Sequence, residues 1–193
     1  SIGIAGGGIF QKTGGAGVTL QNRSDIAFNN AGTVNVSSGT LQINTTNLSN
    51  GGVVDVGSLA TLSTNGAALT NSVTGTISGA GTLNLTAATL TNNGTIAPGA
   101  VSGDTTGMLT ITGNYTQGVG GQLNVELGGT AAGNFDVLAV SGTATLAGAL
   151  NRSYVSGYTP ATGDSLSVLT YGSRSGTFGS GTDPNSLALV YGA

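Results

Sequence analysis

The carboxylates Asp25, Asp55, Asp104, Glu126, Asp136, Asp164 and Asp183 are the chain's main acid–base groups near neutral pH, because histidine and cysteine are absent. Without histidine no Ser-His-Asp or Cys-His arrangement can be built, and without cysteine there is no thiolate ligand, thiol nucleophile or disulfide. Two nearby carboxylates would suffice for glycoside hydrolysis. The acids share no common phase along the chain, and the pairs to examine are Asp104 with Glu126 or Asp136. Asp104, Asp136, Asp164 and Asp183 lie in Gly/Thr-rich stretches and are the candidate calcium ligands. No GGxGxDxU repeat accompanies them, so the expectation is solvated loop acids. The GGGxxxK run at 6–12 lacks the spacing of a phosphate loop. No catalytic residue, cofactor or metal ligand is therefore assigned.

Aromatic residues are the other chemically capable group. Tyr115, Tyr154, Tyr158, Tyr171 and Tyr191, with Phe135 and Phe178, fall in the second half of the chain. Tyr115, Tyr158 and Tyr171 are candidates either for stacking a sugar ring or for covering an apolar end of the fold, and the second role is the expectation.

The polypeptide that must position these groups has an unusual surface chemistry. Only 6% of its 193 residues are charged, its net charge is −3, and 36 residues are glycine. Ser, Thr, Asn and Gly supply the polarity instead. Four cations, Lys12, Arg23, Arg152 and Arg174, give no footprint for nucleic acid or an anionic membrane. A hydrophobic fraction of 38% with low net charge argues against disorder. No stretch is apolar for the roughly 18 residues a membrane span needs. The missing initiator Met and the ending VYGA lead one to expect a processed product or an excised piece.

An internal repeat organises the first half. VTLQ, GTLQ, ATLS and GTLN place Leu20, Leu41, Leu62 and Leu83 at separations of 21, each preceded by Thr19, Thr40, Thr61 or Thr82. A second column holds Phe28, Leu48, Leu69 and Leu90, each followed two residues later by Asn30, Asn50, Asn71 or Asn92. After each Asn comes a turn with Gly32, Gly52, Gly75 or Gly94, then Val34, Val54, Ile77 or Ile96. Within a unit the period is two, as in TVNV, TLQI and TLNL, which marks short strands with one wet face. Gly, Thr, Asn, Val and Ile are poor helix formers, and no helical stripe runs through the chain.

Strands this short cannot bury an apolar face alone, so each unit must stack on the next, roughly 4.8 Å away. The reading is a β-solenoid with coils of about 21 residues, Leu over Leu inside and Thr over Thr outside. Asn tolerates left-handed backbone, and stacked Asn side chains can form an amide ladder, so the Asn column is assigned a structural role. The Thr row resembles the hydroxyl surface of ice-binding solenoids. It is one Thr wide with varied flanks, and Thr is the ordinary outward strand residue.

The period is lost after Gly99. Residues 1–99 read as regular repeats. Residues 100–193 read as irregular coils and a cap of the same solenoid, with a small β-sandwich-like cap as the other possibility. SIGIAGGGI carries no charge before Lys12, which leaves the first edge open to strand addition.

GGGIFQKTGGAGVTLQ at 6–21, FNNAGTVNVSSGTLQI at 28–43, LTNNGTIAPGA at 90–100, LTITGNYTQ at 109–117 and GYTPATGDSLSVLTYGSRSGTF at 157–178 together resemble secreted bacterial surface proteins. The resemblance, over almost the whole chain, is to autotransporter passengers and filamentous-haemagglutinin-like adhesins. It implies a right-handed parallel β-helix exported to the cell surface, associated with the outer membrane. A membrane β-barrel pattern is lacking. The functional expectation is a non-catalytic, extracellular structural or adhesin-like module. The alternatives are a head-to-tail filament subunit and, less favoured, a glycan-binding module. Expected partners are the chain itself or surface glycans of a host or neighbouring cell, with no nucleic acid.

Overall fold

The structure is a computed structural model that describes residues 2–15, 17–20, 26–99, 106–179, 181–183 and 191. These residues form strands and no helix. The first winding contains β1 (Ile2–Ile4), β2 (Ile9–Lys12) and β3 (Val18–Leu20). Then follow β4 (Phe28–Asn30), β5 (Thr33–Val36), β6 (Gly39–Ile43), β7 (Asn47–Asn50), β8 (Val53–Val56), β9 (Ala60–Ser63), β10 (Ala68–Asn71) and β11 (Thr76–Gly79). Longer strands take over from β12 (Thr82–Asn92): β13 (Thr95–Pro98), β14 (Met108–Gln117), β15 (Gln122–Leu127), β16 (Val137–Leu146), β17 (Ala149–Tyr154) and β18 (Leu169–Gly176).

These strands stack in parallel into an 11-stranded sheet that runs from β1 to β18 and a 7-stranded sheet that runs from β2 to β17. The fold is a parallel β-solenoid. Register follows the echo in the first half: Phe28 pairs Leu48, Leu48 pairs Leu69 and Leu69 pairs Leu90, steps of 20, 21 and 21 residues. Beyond β12 the coils lengthen. Leu90 pairs Tyr115, Tyr115 pairs Ala144 and Ala144 pairs Arg174, steps of 25, 29 and 30. The 21-residue coil thus holds only for the early windings. The later strands join the same two sheets, so the solenoid continues where a separate sandwich was the other possibility.

One column departs from its sequence phase. Leu41, Leu62 and Leu83 pair in succession, continuing to Ile111 and Val140. Leu20 pairs with Ile43, and Val18 takes the place opposite Leu41. The shift is two residues, the pleat period, so it preserves which face each position occupies. Matching side chains therefore cannot distinguish the two registers.

Inward positions form continuous apolar columns. Val34, Val54, Ile77, Ile96, Leu123 and Leu150 stack in the smaller sheet, and all are buried. Fully burying one such side chain stabilises by roughly 1.5–3 kcal/mol, and stacking like on like leaves little void. The corner glycines are needed for close approach. A Cβ on Gly52 would lie 2.1 Å from the Gly32 carbonyl oxygen, and one on Gly75 would lie 2.2 Å from Oδ1 of Asn71.

The larger sheet begins with two strands per winding, as in β9 and β10, which β12 fuses into one bent strand. Its first part pairs β9 and its last part pairs β10. The bend sits at Thr86, whose φ of 60° is left-handed. The two ends of the stack differ. Tyr154, Tyr158, Leu166, Val168, Tyr171 and Tyr191 pack onto the core beside the last windings. At the first winding Ile4 and Phe10 pack inward while Ile2 and Ile9 are exposed.

Candidate functional site

The most organised chemistry lies inside the solenoid. Asn30, Asn50, Asn71 and Asn92 are buried at one corner, where the larger sheet turns into the smaller. Nδ2 of Asn30 donates to Oδ1 of Asn50 at 2.7 Å, Asn50 to Asn71 at 2.8 Å, and Asn71 to Asn92 at 2.8 Å. The second amide hydrogen of each rung is directed to the next winding of the smaller sheet. Its acceptors are the carbonyls of Val53, Thr76, Thr95 and Gln122, at 2.9 to 3.2 Å. The amide ladder expected from the sequence therefore also ties the two sheets together. A buried, fully partnered network of this kind is stabilising, and its unmade bonds would be costly.

Sequence reading missed how the ladder stops. Asn92 donates to the Tyr115 hydroxyl at 3.3 Å, and that hydroxyl donates to Oε1 of Gln117 at 2.6 Å. Nε2 of Gln117 then reaches three carbonyls, those of Gly121, Ala147 and Ala149, at 3.1, 2.9 and 2.9 Å. Gln117 pairs with Asn92 in register, so it is the last rung, one methylene longer. The signal was present in the echo of LTN by YTQ. Burial pushes the Tyr115 phenol well above its usual range, so it acts as a neutral donor.

Tyr115 is thus neither an end cover nor a surface aromatic. It is fully buried in the column of Phe28, Leu48, Leu69 and Leu90. Its ring replaces a leucine there, because only a hydroxyl at that height joins Asn92 to Gln117. Tyr158 and Tyr171 are half-buried at the last windings. Tyr158 donates to Oδ2 of Asp164 at 2.6 Å, and that hydrogen bond pushes its pKa up to about 12. Asp164 is held below the usual carboxylate range by the Ala161 amide and then by Tyr158. Tyr154 donates to Oδ1 of Asp183, whose Oδ2 pairs with Arg152 at 3.3 Å.

Among the acids, Glu126 and Asp136 are brought together, while Asp25 and Asp104 lie outside the described residues. Asp136 is 1% exposed. Its Oδ1 accepts the Gly107 amide at 2.7 Å and its Oδ2 the Glu126 amide at 2.9 Å. The carboxylate therefore latches the start of β14 to β15. Burial pushes its pKa up to about 6; the two amides oppose that shift, and the nearby Glu126 charge adds to it. A cleft of about 200 Å³ adjoins this latch, and its described lining residues are Thr106, Gly128, Asn134 and Ser156. Among the described residues, no three His, Cys, Asp or Glu side chains gather where a metal ion could be held.

On the outside, hydroxyls and amides repeat. Asn29, Ser49, Thr70, Thr91, Thr116, Thr145 and Ser175 pair in succession along the larger sheet. Thr40, Thr61, Thr82 and Thr110 form a parallel row, while Thr19 pairs Gln42. No family model, curated protein or solved structure matches the chain. What the geometry defines is a parallel β-solenoid with an internal polar ladder and a small-polar exterior.

Proposed function

We propose that this chain is a non-catalytic module of a bacterial surface protein, an adhesin-like stalk lying outside the cell. One observation carries the reading. The buried amides of Asn30, Asn50, Asn71, Asn92 and Gln117 are taken up in one internal ladder, while the outward row from Ser49 to Ser175 repeats small hydroxyls through successive windings. The first feature supports a stiff, slow-opening rod. The second supports a uniform, weakly charged surface suited to many weak contacts.

Head-to-tail filament growth is the second reading, favoured by the exposed Ile2 and Ile9 on the edge strands β1 and β2. The aromatic residues packed over the last windings favour a discrete module. Tyr158 and Tyr171 supply the aromatic surface for the lesser, glycan-binding reading.

Beads coated with the chain, tested under flow on epithelial monolayers and on glycan-coated glass, examine the proposal. Retention above albumin-coated beads is expected, falling when Thr70, Thr91 and Thr116 are changed together to Asp. Retention no better than albumin on every surface would end the adhesin reading. Breakdown of a polysaccharide from a test panel, abolished by Glu126→Gln, would make the chain an enzyme.

A further inference from the structure

Asn-Gly is the dipeptide in which a backbone nitrogen most readily reaches its neighbour's side-chain carbonyl carbon, because glycine has no side chain to hinder the approach. The chain holds three such pairs, Asn50-Gly51, Asn65-Gly66 and Asn93-Gly94. Each stands where a strand of the larger sheet ends, after β7, β9 and β12 respectively. The fold treats the three differently.

Attack needs a glycine nitrogen that is free and an asparagine amide that can turn toward it. The Gly51 amide donates to the Asn30 carbonyl at 2.8 Å, and Asn50 is completely buried with its side chain held in the ladder. The Gly94 amide donates to Oδ1 of Asn92 at 3.2 Å, and Asn93 is half-buried. Both nitrogens are therefore occupied, and each is released only by local opening of its corner.

Neither hold exists at Asn65-Gly66, where both residues are exposed. Their φ values of 53° and 85° make a left-handed two-residue turn between β9 and β10, which the Thr64 carbonyl closes by accepting the Ala67 amide at 3.1 Å. The Asn65 backbone amide is held by the Ser63 hydroxyl at 3.2 Å. Among the described residues nothing accepts the Gly66 amide and nothing binds the Asn65 side chain. A Cβ on Gly66 would meet nothing within 4 Å, so the turn also has room to bend.

We infer that Asn65 is a self-modification site, at which the folded chain converts its own side-chain amide to a carboxylate with water as the only co-reactant. The Gly66 nitrogen bonds to Cγ of Asn65 as the Cγ–Nδ2 bond breaks, and Nδ2 leaves as ammonia with the proton given up by Gly66. Water then opens the cyclic imide at one carbonyl or the other, giving Asp or isoaspartate. Either product adds a negative charge to a chain whose net charge is −3, and isoaspartate also puts one more carbon into the backbone of the turn. Asn50, whose loss would break the ladder, is shielded by the ladder itself. The inference rests on the turns and stands apart from any adhesive role.

The test ages the folded chain at body temperature in mildly alkaline buffer and maps its peptides by mass spectrometry. Isoaspartyl methyltransferase with labelled S-adenosylmethionine is the probe for isoaspartate. A gain of one mass unit is expected at Asn65, at least about tenfold faster than at Asn50 or Asn93, whose glycine amides are freed only by local opening. In urea the three sites should draw level. Asn65→Gly keeps the left-handed turn without the amide and should abolish the acidic species on ion exchange, with far-UV circular dichroism reporting its fold. A folded chain in which Asn65 stays intact, or reacts no faster than Asn50 and Asn93, would overturn the inference. So would a preference for Asn65 that survives in urea, because the fold would then not be its cause.

Discussion

The hydroxyl of Tyr115 donates to Oε1 of Gln117 at 2.6 Å, two residues along the same strand. Both side chains point inward, as the period of two requires, and the bond connects two neighbouring columns of the core. It converts a ladder of identical amides into an ending: the hydroxyl receives Asn92 and passes the polarity to Gln117, which discharges onto backbone carbonyls. Tyr115→Phe keeps the ring but leaves Gln117 without that donor. It should destabilise by about 1–2 kcal/mol, read as a lower urea midpoint at unchanged slope. No change in midpoint would show that the ladder's ending contributes nothing.

Asn71 is an internal rung, with Asn50 donating to it and Asn92 accepting from it. Asn71→Leu matches the size of the side chain and strips its bonds, including that to the Thr95 carbonyl. A loss of about 2–3 kcal/mol is expected, since buried partners are left unmet. The outward neighbour Thr70→Val should shift the midpoint by no more than about 0.5 kcal/mol. Equal effects at the two sites would contradict the ladder's structural role.

Gly75→Ala is expected to be among the most damaging single changes available. The new Cβ would fall 2.2 Å from Oδ1 of Asn71, held by the Asn50 amide, and 2.4 Å from the Asn50 backbone carbonyl oxygen, held by the Ser72 amide. Relief requires moving a whole corner, so a loss of more than about 3 kcal/mol, or failure to fold, should appear in thermal melts. Gly133→Ala is the comparison with open space around the Cβ, although its φ of 88° is itself left-handed.

Asp136 predicts the pH dependence. Its folded pKa, about 6, lies above its ordinary value of 3.8, so the folded state holds the proton more tightly than the unfolded state does. The stability it contributes is therefore complete below about pH 3.8 and is lost as pH rises through about 6. Unfolding titrations should show stability rising on acidification from pH 7 to 4, by on the order of 2–3 kcal/mol from this group. Asp136→Asn should flatten that segment of the profile. A profile unchanged by the substitution would mean that Asp136 does not titrate there.

Much of the architecture was legible in the chain. The recurrence of Leu and Asn at steps near 21 specifies coils, because a stacked strand must present the same side chain at the same height as its neighbour. The period of two specifies which face is inside. Those two regularities placed Leu41, Leu62, Leu83 and the four ladder asparagines without any coordinates.

Other relationships needed the tertiary structure. Leu20 pairs Ile43 and not Leu41, and because a slip of two residues conserves every inward face the side-chain pattern alone does not choose between the two registers. Tyr115 sits in the core and not at the end, because its hydroxyl meets Asn92 only once the windings are stacked. Asp136 is buried between Gly107 and Glu126, which stand 29 and 10 residues from it in the chain. By itself, then, the sequence determined the repeating inward and outward pattern, a local property of alternating side chains. Only the tertiary structure decided register, the ladder's ending and the burial of Asp136, since each depends on which backbone carbonyls and amides another winding brings within hydrogen-bonding reach.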